Sequence, residues 1–223
     1  MSWKYTGWFR GLLRLFYPPS CAVCETPLVR GERFICTHCL SEFPYAESAF
    51  SVELEHSSPE CRVLFHYNKQ SRYRKLVYAV KYRSGKELGY YLGGLLGRRL
   101  KNTEEIDAVV PVPLHPRKER KRGYNQSKQI AAGLAEALGK PLWDDVAVKI
   151  RNNPSQTGKN ATDRRKNVEN AFRLCRPERI RGCRLLVVDD IITTGATLSS
   201  FLQTLSEAGG VHFTVACLGR TEL

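Results

Sequence analysis

The chain has 223 residues, 42% of them hydrophobic, and a formal net charge of +13 at pH 7. That length suits one full domain plus a small appendage, and no apolar run approaches the roughly 20 residues of a membrane span. The charge is uneven: residues 1–60 hold 5 Lys+Arg against 7 Asp+Glu, whereas residues 61–223 hold 30 against 15. The excess on the larger C-terminal part fits a polyanionic partner, nucleic acid or a polyphosphate substrate, or else a merely solvated basic surface.

The N-terminal stretch WKYTGWFRGLLRLFYPP is interrupted by Lys4, Arg10 and Arg14 and lacks a small-residue cleavage site. It reads as a short amphipathic helix, packed under the next module or else anchored on a membrane surface, and not as a signal peptide. Four cysteines follow as Cys21-x2-Cys24-x11-Cys36-x2-Cys39. Each CxxC turn places two thiolates on one side of a metal at about 2.3 Å, and two such turns complete a tetrahedron. All four positions are cysteine, which leaves no coordination site for a substrate water, so the expected ion is a structural Zn2+. A segment of about 40 residues has too little core to fold alone, and zinc can contribute roughly 10–16 kcal/mol of apparent binding energy. Two disulfides or an iron–sulfur cluster are the alternatives. The other cysteines (Cys61, Cys175, Cys183, Cys217) are scattered, and the absence of a secretion signal makes a reducing, cytoplasmic setting the expectation. His38, between the last two cysteines, is expected to be exposed and not a ligand.

From Cys61 the pattern changes. CRVLFHY reads as a strand, and RYRKLVYAVKYR (72–83) as a helix with Leu76, Val77 and Val80 on one face, ended by Gly85. ELGYYLGGLLGRRLK is a second helix, glycine-rich and closely packed. DAVVPVPL is a strand running into a proline-rich turn. NQSKQIAAGLAEALG is a helix with Asn125 as candidate cap and Gly139 as its end. RLLVVDD has the near-continuous apolar character of a central parallel strand. TLSSFLQTLSEAGG is a helix with Leu198, Phe201, Leu202 and Leu205 inward, and VHFTVACLG a last strand. This alternation predicts an α/β body over residues 59–223, a parallel sheet with helices on both faces and right-handed crossovers. Residues 1–58 form a separate zinc-ribbon-like module in this reading.

In such a sheet, ligands bind beyond the carboxyl ends of the strands. Asp189 and Asp190 stand at such an end, followed by the loop Thr193-Thr194-Gly195-Ala196-Thr197 and a helix. Amides at a helix N-terminus, a close-approach glycine and three hydroxyls suit a phosphate monoester. The adjacent carboxylates suit a vicinal diol. Together they describe ribose 5-phosphate. A Walker B strand is the rival reading, but the chain has no G-x4-G-K-[ST]. Ordinary helix capping would need one such residue, not two acids and three threonines.

VVDDIITTGAT resembles the phosphoribosyl-pyrophosphate (PRPP) motif of type I phosphoribosyltransferases over its whole length. YNKQSRYRKLVYAVKYRSGKELG, VVPVPLHPRKERKRGYNQSKQIAAGLA and SQTGKNATDRRKNVENAF, behind a four-cysteine finger, are similar to the competence protein ComF (ComFC) family from Cys21 to about Leu218. One departure is Lys159, where an apolar Leu is expected. The resemblance implies a type I phosphoribosyltransferase-like fold in which Asp189 and Asp190 hold the ribose hydroxyls as the catalytic pair. It also implies that residues 193–197 hold the 5-phosphate and that Mg2+ bridges PRPP oxygens. PVPLHP, with Val112 and Pro113, falls where this fold wraps the pyrophosphate. Arg117, Lys118, Arg120, Lys121 and Arg122 follow within six residues, suited to neutralising a leaving pyrophosphate or facing nucleic acid, or else merely solvated. Residues 151–167 resemble the mobile hood, with Arg151, Gln156, Arg164 and Asn167 at its family positions.

Helix 72–83 interleaves Arg72, Arg74, Lys75, Lys81 and Arg83 with Tyr73, Tyr78 and Tyr82, a pattern that can hold single strands. Packing of its tyrosines against the zinc module is the alternative, and Lys81 can also face PRPP. Three functions follow as expectations: a Mg2+-dependent phosphoribosyl transfer, a single-stranded DNA-binding role in natural transformation that uses the PRPP site as a sensor, and a scaffold whose zinc module docks a helicase or another DNA-uptake protein.

Overall fold

The computed structural model describes residues 18–53, 58–68, 70–82, 85–151 and 171–221. The amphipathic N-terminal stretch, Arg83 and the hood positions Gln156, Arg164 and Asn167 lie outside the described residues. Five strands form the main sheet: β1 (Phe50–Ser51), β2 (Glu60–Tyr67), β3 (Ala108–Pro111), β6 (Arg184–Ile192) and β7 (His212–Thr221), in the order β1-β2-β7-β6-β3. Only β1 runs antiparallel; β2, β7, β6 and β3 pair in parallel.

Alternation along the strands sorts the core into two layers. Leu64, Val109, Leu186, Val188, Ala216 and Leu218 face one side, with α3 (Gly85–Arg99) and α5 (Gln126–Leu138). Val63, Ala108, Val110, Leu185, Val187 and Val215 face the other, with the short α6 (Pro177–Ile180) and α7 (Ala196–Ser206). Leu185 to Val188 are all buried because β6 is covered on both faces. Beyond the main sheet, β4 (Ala147–Lys149) and β5 (Phe172–Leu174) form a two-stranded antiparallel pair. These three-residue strands carry no periodicity that would announce them in the sequence.

The α3–α5 contact depends on glycine. A Cβ at Gly93 would lie 2.0 Å from the Ile130 carbonyl oxygen, and one at Gly133 would lie 1.9 Å from that of Tyr90. The bare backbones let the helices touch where side chains would hold them apart.

Two local expectations are corrected. The helix expected over 72–83 is only α2 (Arg74–Ala79), because the Tyr124 hydroxyl takes the carbonyls of Val80 and Tyr82 and holds a turn there. Gly85 does not end that helix. It opens α3, where a Cβ would meet the Ala79 carbonyl oxygen at 2.2 Å.

The cysteine module is not an isolated island. Its Val23, Ile35 and Phe43 are buried in the same cluster as Phe65, Tyr73 and Leu92. Phe43 meets Phe65 and Tyr73 edge-on, at 5.2 and 5.1 Å. Gly31 takes a left-handed φ of 96° at its turn, and α1 (Thr37–Ser41) begins at Cys36.

Candidate functional site

Asp189 and Asp190 end the apolar run of β6, and the N-terminus of α5 arrives directly opposite them. Asn125 caps α5 by accepting from the Ser127 amide, and it donates through Nδ2 to the Val112 carbonyl. This seats Gln126 and Ser127 over the acid pair. Ser127 Oγ donates to Asp189 Oδ1 at 2.9 Å, as does the Asp190 amide. Gln126 Nε2 donates to Asp190 Oδ2 at 3.2 Å, while its own carbonyl accepts from Arg122. Lys81 Nζ lies 3.5 Å from the same Asp190 oxygen. Burial first, and then the charge of Asp190, pushes the Asp189 carboxyl up to about 7, against the two hydrogen bonds it accepts. Two adjacent carboxylates, one reluctant to ionise, are ready to accept from paired hydroxyls or to face a cation.

The loop beyond is open. Thr193 and Thr194 are exposed, and Gly195 is buried with a left-handed φ of 70° as the residue before α7. The residue before the helix is a glycine, which supplies no side-chain cap, and no cap bond from Thr193 or Thr194 is seen among the described residues. An uncapped helix N-terminus beside hydroxyls is suited to a phosphate.

On the other flank, Val112 is buried; its amide donates to the Val188 carbonyl at 2.9 Å and locks the start of the proline turn to β6. Pro113 lines a cleft of about 170 Å³ with Asn125, Lys128 and Lys149. The turn leads into α4 (Pro116–Arg122), which buries no residue. Arg117, Arg120 and Lys121 are exposed on it, whereas Arg122 is half-buried against Gln126. Lys149, at the end of β4, stacks over Phe172 at 4.8 Å. Burial holds its ammonium below the usual lysine range, partly offset by Asp189. Arg151 is exposed just after β4.

The four sulfurs of Cys21, Cys24, Cys36 and Cys39 lie within 4.8 Å of one another, with Cys24 and Cys36 at 3.7 Å. A tetrahedron of Zn–S bonds of about 2.3 Å has edges of about 3.8 Å, so the cluster fits zinc. Hydrogen bonding with Thr26 lowers the Cys24 thiol to about 6, which readies it as a ligand. His38 is exposed beside Glu42, outside the cluster. Of the basic residues of segment 72–83, Arg72 pairs with Glu42 and Lys75 with Glu25, both on the cysteine module. Arg74 stacks over Tyr78 at 5.4 Å, and Lys81 goes to Asp190. The Tyr73 ring is buried against the module, while Tyr78 and Tyr82 are 51% and 67% exposed.

Residues 12–50 match the double zinc ribbon domain, and residues 123–222 match the phosphoribosyl transferase domain. The chain is 31% identical to the DNA utilization protein YhgH of Salmonella typhimurium, over 90% of this chain and 84% of that protein. The chain belongs to the ComF/YhgH family. It is also 28% identical to competence protein F of Haemophilus influenzae, over 95% of this chain and 94% of that one. With the competence protein ComFC of Bacillus subtilis it shares 32% identity, over 45% of this chain and 39% of that protein.

In this ComF/YhgH-family chain the sequence motif displayed the acids and the loop but not the groups that hold them. Gln126, Ser127 and Lys149 come from distant segments; the one available signal was a helix starting just after the proline turn. Among the described residues no helix is long and apolar enough to cross a membrane. A groove of about 520 Å³, lined by residues including Arg33, Lys86, Tyr90, Tyr91 and Arg98, shares no residue with the acid pair.

Proposed function

We propose that the chain binds PRPP with Mg2+ at the Asp189–Asp190 pair and transfers its phosphoribosyl group to an acceptor, in a cytoplasmic role in natural transformation. The observation that carries this reading is the half-buried acid pair, held by Ser127 and Gln126, beside the uncapped N-terminus of α7. The two carboxylates accept from the ribose 2- and 3-hydroxyls. The loop from Thr193 to Thr197 takes the 5-phosphate. The Val112–Pro113 turn, with Arg117, Arg120 and Arg122, faces the pyrophosphate. The bond from C1 to the pyrophosphate oxygen breaks, that oxygen keeps the electron pair, and the acceptor bonds to C1. Bound Mg2+ would supply charge neutralisation at the pyrophosphate, added to that of Arg117, Arg120 and Arg122. The protein's part is placement and charge stabilisation, so no strong base is needed. The residues read as a hood, Arg151, Gln156, Arg164 and Asn167, are assigned to the same ligand; all but Arg151 lie outside the described residues. Matching the phosphoribosyl transferase domain supports the ligand class, and relatives named for DNA utilization and competence support the setting. Calorimetry with PRPP and Mg2+ tests the reading: saturable binding is expected, lost in Asp189→Ala/Asp190→Ala. Absence of binding by the wild type would overturn it.

A second reading, compatible with the first, is binding of single-stranded DNA. It is favoured by the exposed rings of Tyr78 and Tyr82 beside Arg74, and by the solvated cations of α4. The zinc module can then dock a helicase or another DNA-uptake protein. A strand affinity that does not respond to salt would remove a phosphate-dominated site.

A further inference from the structure

The segment from Arg72 to Tyr82 touches both chemical centres of the molecule. At its front, the Tyr73 hydroxyl donates to the Cys39 carbonyl at 3.0 Å, Arg72 pairs with Glu42, and Lys75 Nζ lies 2.7 Å from Glu25 Oε1. These anchors fall on a cysteine of the cluster, three residues after it, and one residue after Cys24. At its back, the Tyr124 hydroxyl reaches the carbonyls of Val80 and, at 2.6 Å, Tyr82. Those two bonds bracket Lys81, whose ammonium stands 3.5 Å from Asp190. Leu76, Val77 and Val80 are buried in between, and the space over Ala79 admits only a glycine at position 85. A six-residue helix fixed at both ends and packed through its middle leaves little slack, so a displacement at the front is passed to the back.

We propose that Tyr73 is a positioning residue for the acid pair: by tying this strut to the Cys39 carbonyl it sets where Lys81 stands against Asp190, so the metal-bound shape of the cysteine module tunes anion binding at the acid pair. The chain of contacts is continuous and uses no mobile intermediary. Ligation of the Cys39 thiolate would orient that residue, since a small metal module folds together with its ion. Tyr73 reads the orientation of the Cys39 backbone. Lys81 is about one-third exposed, so its charge is only partly screened by water, and a shift of its ammonium changes the field that an incoming anion meets. Without the strut, Lys81 becomes one more solvated cation with no fixed place.

The effect on anions rests on reading the acid pair as a sugar-phosphate site; the strut itself does not, and the two can be separated. Amide hydrogen exchange is followed on the full chain as wild type, as Tyr73→Phe with its zinc content measured, and as wild type stripped of zinc by a chelator. Tyr73→Phe is expected to keep its zinc and to raise exchange over residues 77–82 by about fivefold, the scale of the lost Tyr73–Cys39 hydrogen bond, with the longer one that Tyr73 accepts from Arg72 at 3.3 Å lost beside it. Zinc removal is expected to do at least as much in the same segment. Unchanged exchange there after zinc removal overturns the proposal, and so does a rise spread evenly through β6 and β7. The second arm titrates PRPP with Mg2+ into wild type, Tyr73→Phe, Lys81→Met and the double variant. Tyr73→Phe should weaken binding alone yet add nothing to Lys81→Met, whereas independent, additive losses mean that Tyr73 does not act through Lys81. If the wild type binds no PRPP, the reading of the acid pair fails, and the exchange arm alone decides whether the strut exists.

Discussion

Asp189 carries opposite demands in the free and the liganded protein. In the native chain its carboxyl keeps a proton up to about pH 7, whereas an unfolded aspartate releases it near 4. Between those values the native state binds more protons than the unfolded one, so stability falls as pH rises from about 4 to 7 and then levels off. Asp189→Asn keeps an oxygen to accept from Ser127 and from the Asp190 amide and removes the charge. It should raise the melting temperature at pH 8 and raise it distinctly less at pH 5; equal gains at both pH values would show that the charge is not the cause. The same substitution should weaken PRPP binding in calorimetry, which is the usual opposition between stability and function at a site. Gln126 is the second informative residue, since it joins Arg122 to Asp190. Gln126→Leu keeps the volume and breaks both bonds, and PRPP affinity is expected to fall about tenfold. The acids were legible because they are contiguous with their loop in one short motif. Gln126 and Ser127 were not, because their contacts span 64 and 62 residues of chain and only the sheet brings them together.

The elements show which local signals translate into tertiary structure. Apolar runs such as Leu185 to Val188 appear as buried strands because burial on two faces needs little else. The glycines of α3 also carried their meaning, a close approach to a neighbour. Gly85 was misread by the same kind of local rule, since glycine marks a helix end and a tight contact equally well. The β4–β5 pair stayed hidden, and with it the placement of Lys149, because three-residue strands have no pattern to read. The α3–α5 contact sets two effects of opposite sign against each other. Replacing Gly by Ala inside a helix gains about 1 kcal/mol in propensity. At Gly133, however, the added carbon would lie 1.9 Å from the Tyr90 carbonyl oxygen, backbone that cannot turn aside, and overpacking costs about 1–3 kcal/mol. The clash should win: Gly133→Ala is expected to lower the urea midpoint with little change in slope. A raised midpoint would show that the two helices can separate freely.

At the scale of the whole molecule, the charge asymmetry is partly cancelled from within. The acidic module supplies Glu42 and Glu25 to Arg72 and Lys75, so two of the five basic residues read from segment 72–83 are consumed in joining the module to the body. What stays outward near the acid pair is α4, a helix that buries nothing and follows the proline turn directly. A pyrophosphate at that turn and a single strand on the same face would draw on the same cations, so the two proposed ligands should compete. Each phosphate neutralised on a single strand contributes about −0.7 to the slope of log affinity against log salt. Replacing Arg117, Arg120 and Lys121 with Gln should therefore make that slope shallower by about 2, measured by anisotropy of a labelled oligothymidine. Saturating PRPP with Mg2+ should weaken strand binding to the wild type and leave the triple variant almost unaffected, because the shared cations are already gone. If PRPP weakened both proteins equally, the competition would lie elsewhere on the surface. If it weakened neither, strand and sugar phosphate would occupy separate faces, and the groove beside Arg33 and Arg98 would be the next surface to test.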